Sequence, residues 1–377
     1  MGSMRILFTT EHYYPEISGV SLVVKNIAEG LFKKGDDITI ATTKIASRDF
    51  EYLNGIEIIE FEITGNSVKG IKERKKGEIE RYKNLLITGG YDLICQYAVQ
   101  TWHTDIAYNI LDDIKAKKVL IPCGYSGLAL WSKKVFYWNY FRKLPFYLRK
   151  YDHIIYHSAN YIDKTFGDKH GIKHYSIMPN GIDPKEMQMH TINFREFYKI
   201  KTKYMLLNVS NHLKLKGHSF VLDAFKILNR DDVTLVIIGN KVSGLRGCYK
   251  RCAQFASNNP GVLLLDNIPR EHVISAFCEA DIFVFGSKVE CSPLVILEAM
   301  STGLPFISTD VGCVKEFGGG ILISTPTDMA KNINKLLDDI GFRKTLSISG
   351  QNECLSNYTW DKIIHKYRDL FQKLVME

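Results

Sequence analysis

The feature that most constrains this chain is a repeat. A short apolar run, a loop and an amphipathic helix recur along it. The pattern breaks at Pro179-Asn180-Gly181-Ile182-Asp183 and then starts again. Arg5-Ile6-Leu7-Phe8-Thr9-Thr10 reads as a buried strand. A helix from Ser21 to Lys33 and a strand Ile38 to Ala41 follow. After the turn cluster, Tyr204 to Ser210, a helix His218 to Leu228 and a strand Thr234 to Ile238 repeat the order. Strand, helix and strand at this spacing is a parallel βαβ unit. A length of 377 residues suits two domains of ordinary size. The expected fold is therefore α/β, with two doubly wound, Rossmann-like domains whose strand ends face a central cleft. We place the first domain at 4–180 and the second at 181–358. The amphipathic helix from Trp360 to Leu374 closes the chain.

Within the second domain one stretch stands out. The strand Asp281 to Phe285 is followed by a loop with Glu290. Ser292-Pro293-Leu294-Val295-Ile296-Leu297-Glu298-Ala299-Met300 then reads as a helix ended by Gly303 and Pro305. Ser292 suits the N-cap and Pro293 the first helical position. The amides of Leu294, Val295 and Ile296 then lack partners in the helix and favour an anion. Helical side chains tilt toward the N-terminus, so Glu298 can reach the same place. A phosphate seat between Glu290 and Glu298 suits a sugar nucleotide. The plainer alternative is a solvated loop charge and a satisfied helix glutamate.

Other features are weaker. Gly19, ahead of the first helix, lets a ligand approach the backbone. His103 falls in the first turn of a helix expected from Thr101 to Leu111. Residues 69–83 are dense in charge and read as a solvated helix face. Trp131 to Lys150 interleaves aromatic with basic residues, as interfacial segments do, although a helix with its aromatics in the core fits too. Eight cysteines include no Cys-x-x-Cys pair. Cys248 and Cys252 lack a matching His pair for zinc, so the thiols read as reduced in a cytoplasmic protein. No apolar run is long enough for a membrane span, and no signal peptide is visible. Met1-Gly2-Ser3-Met4 reads as an added leader before a natural start at Met4. The formal net charge of +8 fits nucleic acid, an anionic membrane or an anionic substrate and selects none of them.

The run Glu-x-x-Pro-Leu-x-x-x-Glu-Ala-Met-x-x-Gly-x-Pro from Glu290 to Pro305 resembles the donor-site signature of the family 4 retaining glycosyltransferases, which have the GT-B fold. The opening strand and glycine loop, Pro179-Asn180-Gly181-Ile182-Asp183, Lys216-Gly217 and Ala280-Asp281-Ile282-Phe283-Val284 occur in that family's order. The resemblance implies transfer of a sugar, with retention, from a nucleoside diphosphate to an acceptor hydroxyl. It implies an N-terminal acceptor domain and a C-terminal donor domain, with a last helix (359–377) that returns to the first. Lys216 matches the diphosphate lysine, and Ser292, Pro293, Leu294 and Val295 the helix-start donors. Backbone near Ile268 would meet the base. No metal is implied, and the chain has no Asp-x-Asp. Two positions depart from the pattern. Asn211 stands where an arginine is usual, with Lys214 or a protonated His212 as substitutes. Cys123-Gly124 stands where His-Gly is usual, with His103 as substitute for the sugar-holding histidine.

The implied co-substrate is UDP- or GDP-linked, with no cofactor. The acceptor reads as a glycan, a lipid-linked sugar or another hydroxyl compound in polysaccharide, lipopolysaccharide or glycolipid synthesis. Peripheral contact through 131–150 would place the protein on the inner face of the membrane. Three alternatives stay open: a non-catalytic sugar-nucleotide binder, a sugar-nucleotide 2-epimerase, and a transferase acting on nucleic acid.

Overall fold

The computed structural model describes residues 2–129, 135–242 and 247–377. They form two compact units, Met1–Asn180 with Trp360–Glu377, and Gly181–Thr359.

The first unit contains β1 (Arg5–Thr9), β2 (Asp37–Thr43), β3 (Tyr52–Leu53), β4 (Ile56–Phe61), β5 (Ile63–Asn66), β6 (Gly70–Glu73), β7 (Leu93–Tyr97), β8 (Lys117–Ile121), β9 (His153–Tyr156) and β10 (Tyr175–Ile177). Eight of these make one sheet in the order β10-β9-β8-β7-β1-β2-β4-β3. All its pairs are parallel except β3 with β4. The inner strands are apolar throughout because helices cover both faces of such a sheet. The charged stretch 69–83 is not one helix. It is the arm β6 of a small antiparallel hairpin with β5, then a turn, then a helix Glu78–Thr88. Gly70 and Gly77 both take positive φ, which breaks the expected helix near its start and in its middle.

The first helix is Gly19–Lys33, two residues longer at its start than expected. Ser18 caps it: its Oγ accepts from the Ser21 amide at 3.2 Å, and Ser21 Oγ accepts from the Ser18 amide at 2.8 Å. The helix Trp360–Met376 packs on this first helix. Ile364 fills the space beside Gly30, where an added Cβ would lie 2.0 Å from Ile364 Cδ1. Arg368 pairs with buried Asp36 at 3.0 Å.

The second unit contains β11 (Tyr204–Val209), β12 (Val233–Ile238), β13 (Val262–Leu265), β14 (Ile282–Phe285), β15 (Phe306–Thr309) and β16 (Gly320–Ile323). They form one parallel sheet in the order β13-β12-β11-β14-β15-β16. Chain direction across the sheet reverses between β11 and β14, the position at which such sheets bind ligands beyond their carboxyl ends. Asp281, just before β14, works at the opposite end. Its Oδ2 accepts from the Met205 amide at 2.9 Å and from Arg195 at 2.7 Å. An unexpected helix, Ile340–Asn357, backs the helix Leu294–Ser301. Gly341 and Gly350 hide it from propensity reasoning. Gly350 is needed for contact, because a Cβ there would sit 2.9 Å from Gly319 Cα.

Candidate donor site

The site grows from the turn after β11. Lys214–Lys216 is a single 3-10 turn, closed by Gly217 at φ +69°. A side chain at Gly217 would place its Cβ 1.7 Å from the Gly286 carbonyl oxygen. Glycine is therefore required twice over, by φ and by contact. The turn is stitched to the end of β14 by the Lys288 amide, which donates to Leu215 O at 2.8 Å. This places Lys216 Nζ 2.7 Å from Glu290 Oε1, with Ser287 Oγ donating to that oxygen at 2.8 Å. The Glu290 side chain is only 11% exposed, so it is not a solvated loop charge. Gly312 seals the other side of the loop. At φ +59°, a Cβ there would lie 2.3 Å from Cys291 O. Among the described residues, both side-chain bonds to Glu290 use Oε1 and leave Oε2 without one.

The helix behind this loop begins one residue later than expected. It runs Leu294–Ser301 with Pro293 as N-cap and no side-chain cap. Pro293 has no N–H, so it adds no donor. Ser292 stands outside the helix and buries its hydroxyl beside Cys313. The Ile296 amide donates to Pro293 O at 3.2 Å. The open first-turn donors are thus Leu294 and Val295, two rather than three.

Glu298 is buried on the same helix and pairs through Oε1 with Arg270 at 2.5 Å. Arg270 also meets Glu186 at 2.9 Å. Burial alone would weaken the proton affinity of this guanidinium, but Glu298 and Glu186 outweigh it and raise it. Arg270 opens a helix two residues after Ile268, which is half-buried against the core of this unit. Sequence patterns give no sign of Arg270 beyond a cation just past the Ile268 turn. Only the fold brings residue 270 to residue 298.

The substitutes for the missing arginine now separate. Asn211 is exposed, and its Oδ1 accepts from the Asn240 amide at 3.4 Å. Lys214 is exposed, and among the described residues the ammonium at Glu290 belongs to Lys216. His212 cannot supply the charge, because it is buried and burial lowers its pKa.

In the first unit, Gly19 is exposed and starts the helix, and a Cβ added there would meet nothing within 4 Å. His103 lies in the short helix Trp102–Ala107 at the end of β1. Its Nδ1 is 2.9 Å from Thr9 Oγ1. Burial, with nearby His12, pushes it down to about 3, so it is a neutral ring suited to hydrogen bonding rather than proton uptake. Cys123 takes φ +56°, and burial pushes its thiol up to about 11. The Gly124 amide donates to Asp163 at 3.0 Å.

The two sheets and the site define a GT-B protein whose second unit offers a cation, two helix-start amides and two carboxylates at one sheet end. Family comparison agrees. Residues 17–186 match the model described as Glycosyltransferase Family 4, and residues 190–353 the one described as Glycosyl transferases group 1. The chain belongs to this glycosyltransferase family. It is 25% identical to an uncharacterised glycosyltransferase of Methanocaldococcus jannaschii, covering 99% of each chain. Sucrose-phosphate synthase from Thermosynechococcus elongatus superimposes with a TM-score of 0.82 at 17% identity, over 98% of this chain and 99% of that one. HepE of Anabaena, solved with UDP and glucose, gives 0.78 at 17%, over 98% and 100%.

Proposed function

We propose that this protein transfers a sugar, with retention, from a nucleoside diphosphate to an acceptor hydroxyl. The observation that carries the donor assignment is the Lys216–Glu290–Ser287 cluster at the switch point of the second sheet. A departing diphosphate builds up negative charge, and fixed donors stabilise it. Lys216 and the amides of Leu294 and Val295 are such donors. Glu290 Oε2 would accept from sugar hydroxyls and Glu298 Oε2 from ribose. Because the cation is the protein's own, the reaction needs no divalent metal at the diphosphate. Retention rests on the family resemblance, and UDP-glucose is the first donor to try because HepE was solved with UDP and glucose.

For the acceptor we favour a lipid-linked or surface glycan. The described part of 131–150 supports this; Trp131 lies outside the described residues. Val135, Phe136, Trp138 and Phe146 are exposed, while Phe141, Leu144 and Leu148 are buried. Arg142 lies over the Trp138 ring at 5.1 Å and Lys150 over Phe146 at 4.6 Å. Apolar rings beside cations suit an anionic membrane surface. No helix among the described residues is long and apolar enough to cross a membrane.

The test is a thermal-shift panel of nucleoside diphosphates and their sugars, without and then with magnesium. A ligand at 100 times its dissociation constant stabilises by about 2.7 kcal/mol. One nucleotide should raise the transition without metal, and Glu298→Gln should weaken that shift. No shift from any nucleotide would remove the donor reading.

A further inference from the structure

We propose that His212, Cys248 and Cys252 form a structural site for a zinc-class divalent cation that ties the start of the Lys214–Lys216 turn to the helix Tyr249–Ser257. The site itself is independent of what the turn binds.

The fold brings together residues that the sequence keeps apart. Ligand atoms of His212, Cys248 and Cys252 all lie within 4.8 Å of one another, and all three residues are buried. His218 stands beside this set rather than in it: its Nδ1 is 3.4 Å from Cys248 Sγ, but its ring stacks on that of His212, with centroids 4.5 Å apart and 21° between the planes, so one ion cannot lie in both ring planes. His212 Nδ1 lies 3.8 Å from the same sulfur. With Zn–S of about 2.3 Å and Zn–N of about 2.0 Å, tetrahedral donors sit roughly 3.5–3.8 Å apart. The observed His212–Cys248 distance is already at that spacing. Sequence spacing missed the site because His212 precedes the cysteines by more than thirty residues and belongs to another strand end.

Two further observations favour a cation over a plain packed cluster. His218 Nδ1, 3.4 Å from Cys248 Sγ, can donate to the thiolate, and Ser210 Oγ lies 3.1 Å from its Nε2 to donate in turn. The charge also balances: two thiolates and a neutral imidazole around a dication leave no net charge in a buried place. The backbone is already set. The Cys248 amide donates to His212 O at 3.1 Å, and the His212 amide to Asn240 O at 2.9 Å. Cys248 caps the helix Tyr249–Ser257, and Cys252 follows one turn later on the same face. His212 stands just before the Lys214–Lys216 turn and His218 just after Gly217. A bound cation would therefore pin the start of that turn to this helix.

The full chain, purified without a histidine tag, should contain close to one zinc per chain by mass spectrometry. Stripped of metal and titrated with Co²⁺, it should show thiolate-to-cobalt charge-transfer absorption with the d–d bands of tetrahedral cobalt. Cys252→Ser should roughly halve the charge-transfer intensity, whereas Cys278→Ser, at an exposed cysteine outside the cluster, should leave it unchanged. Two results would overturn the proposal: no zinc in the wild type together with no cobalt absorption, or full absorption retained in the Cys248→Ser/Cys252→Ser double variant. Should a cysteine variant not fold, the wild-type cobalt titration alone decides.

Discussion

Lys216 neutralises Glu290 within the protein, and in the proposed reaction it is also the ammonium that meets the diphosphate. Removing it leaves a buried carboxylate without its cation and a leaving group without its donor. Lys216→Ala should lower kcat by roughly 100-fold or more, on the scale of losing one oxyanion donor. A near-normal rate in a steady-state assay would move the diphosphate role to Lys214. Asp163 makes a prediction of a different kind. Burial raises its carboxyl from 3.8 to about 6, although the Gly124 and Lys164 amides oppose the shift. The folded state thus holds this proton where the unfolded chain has lost it. Stability from this group is full below about pH 3.8 and falls as pH rises to about 6, by up to about 3 kcal/mol, then stays flat. Asp163→Asn keeps an acceptor for Gly124 and should flatten the chemical-denaturation profile between pH 4 and 6. An unchanged slope would show that other groups set it. At this scale Glu290, Lys216 and Glu298 were legible because each lies inside a contiguous motif. Arg270, Ser287 and His218 were not, since their partners come from strand ends that only the folded sheet brings together.

The helix Trp138–Leu148 divides one composition between two faces. Its aromatic-basic sequence fitted both a core helix and an interfacial one; the structure buries one face in the core and leaves the other exposed. Phe141 is 6% exposed and belongs to the core of the first unit, while Trp138 is 62% exposed. Replacing Phe136, Trp138 and Phe146 together by Ser should leave the unfolding midpoint nearly unchanged and weaken binding to vesicles rich in anionic lipid. Phe141→Ser should instead destabilise by about 3 kcal/mol, as large-to-small core changes do. Equal vesicle binding by the triple variant would rule this face out as the contact. Period and strand runs gave most elements correctly, since buried parallel strands are short and uninterrupted. The failures had local causes. Charge made 69–83 look like one helix where positive-φ glycines bend it, and internal glycines concealed Ile340–Asn357.

At the scale of the whole molecule the chain crosses between its units twice, at 180–181 and 359–360. The two passes lie side by side, since the Ile182 amide donates to Tyr358 O at 2.8 Å and Ile182 bridges Thr359. The last eighteen residues therefore stabilise a unit whose sheet was built from the first 180. Ile363, Tyr367, Phe371 and Leu374 are buried, and Phe371 lies 6.4 Å from Phe8 on the central strand. Burying four such side chains contributes roughly 6–12 kcal/mol at 1.5–3 kcal/mol each. That is comparable with the whole stability of an ordinary domain. Deleting 360–377 should therefore unfold the first unit, while the second keeps its sheet with Lys216, Glu290 and Glu298. Calorimetry of the truncated chain should show one transition in place of two, still raised by the nucleotide that stabilises the full chain. If that transition no longer responds to nucleotide, the second unit does not bind the donor unaided.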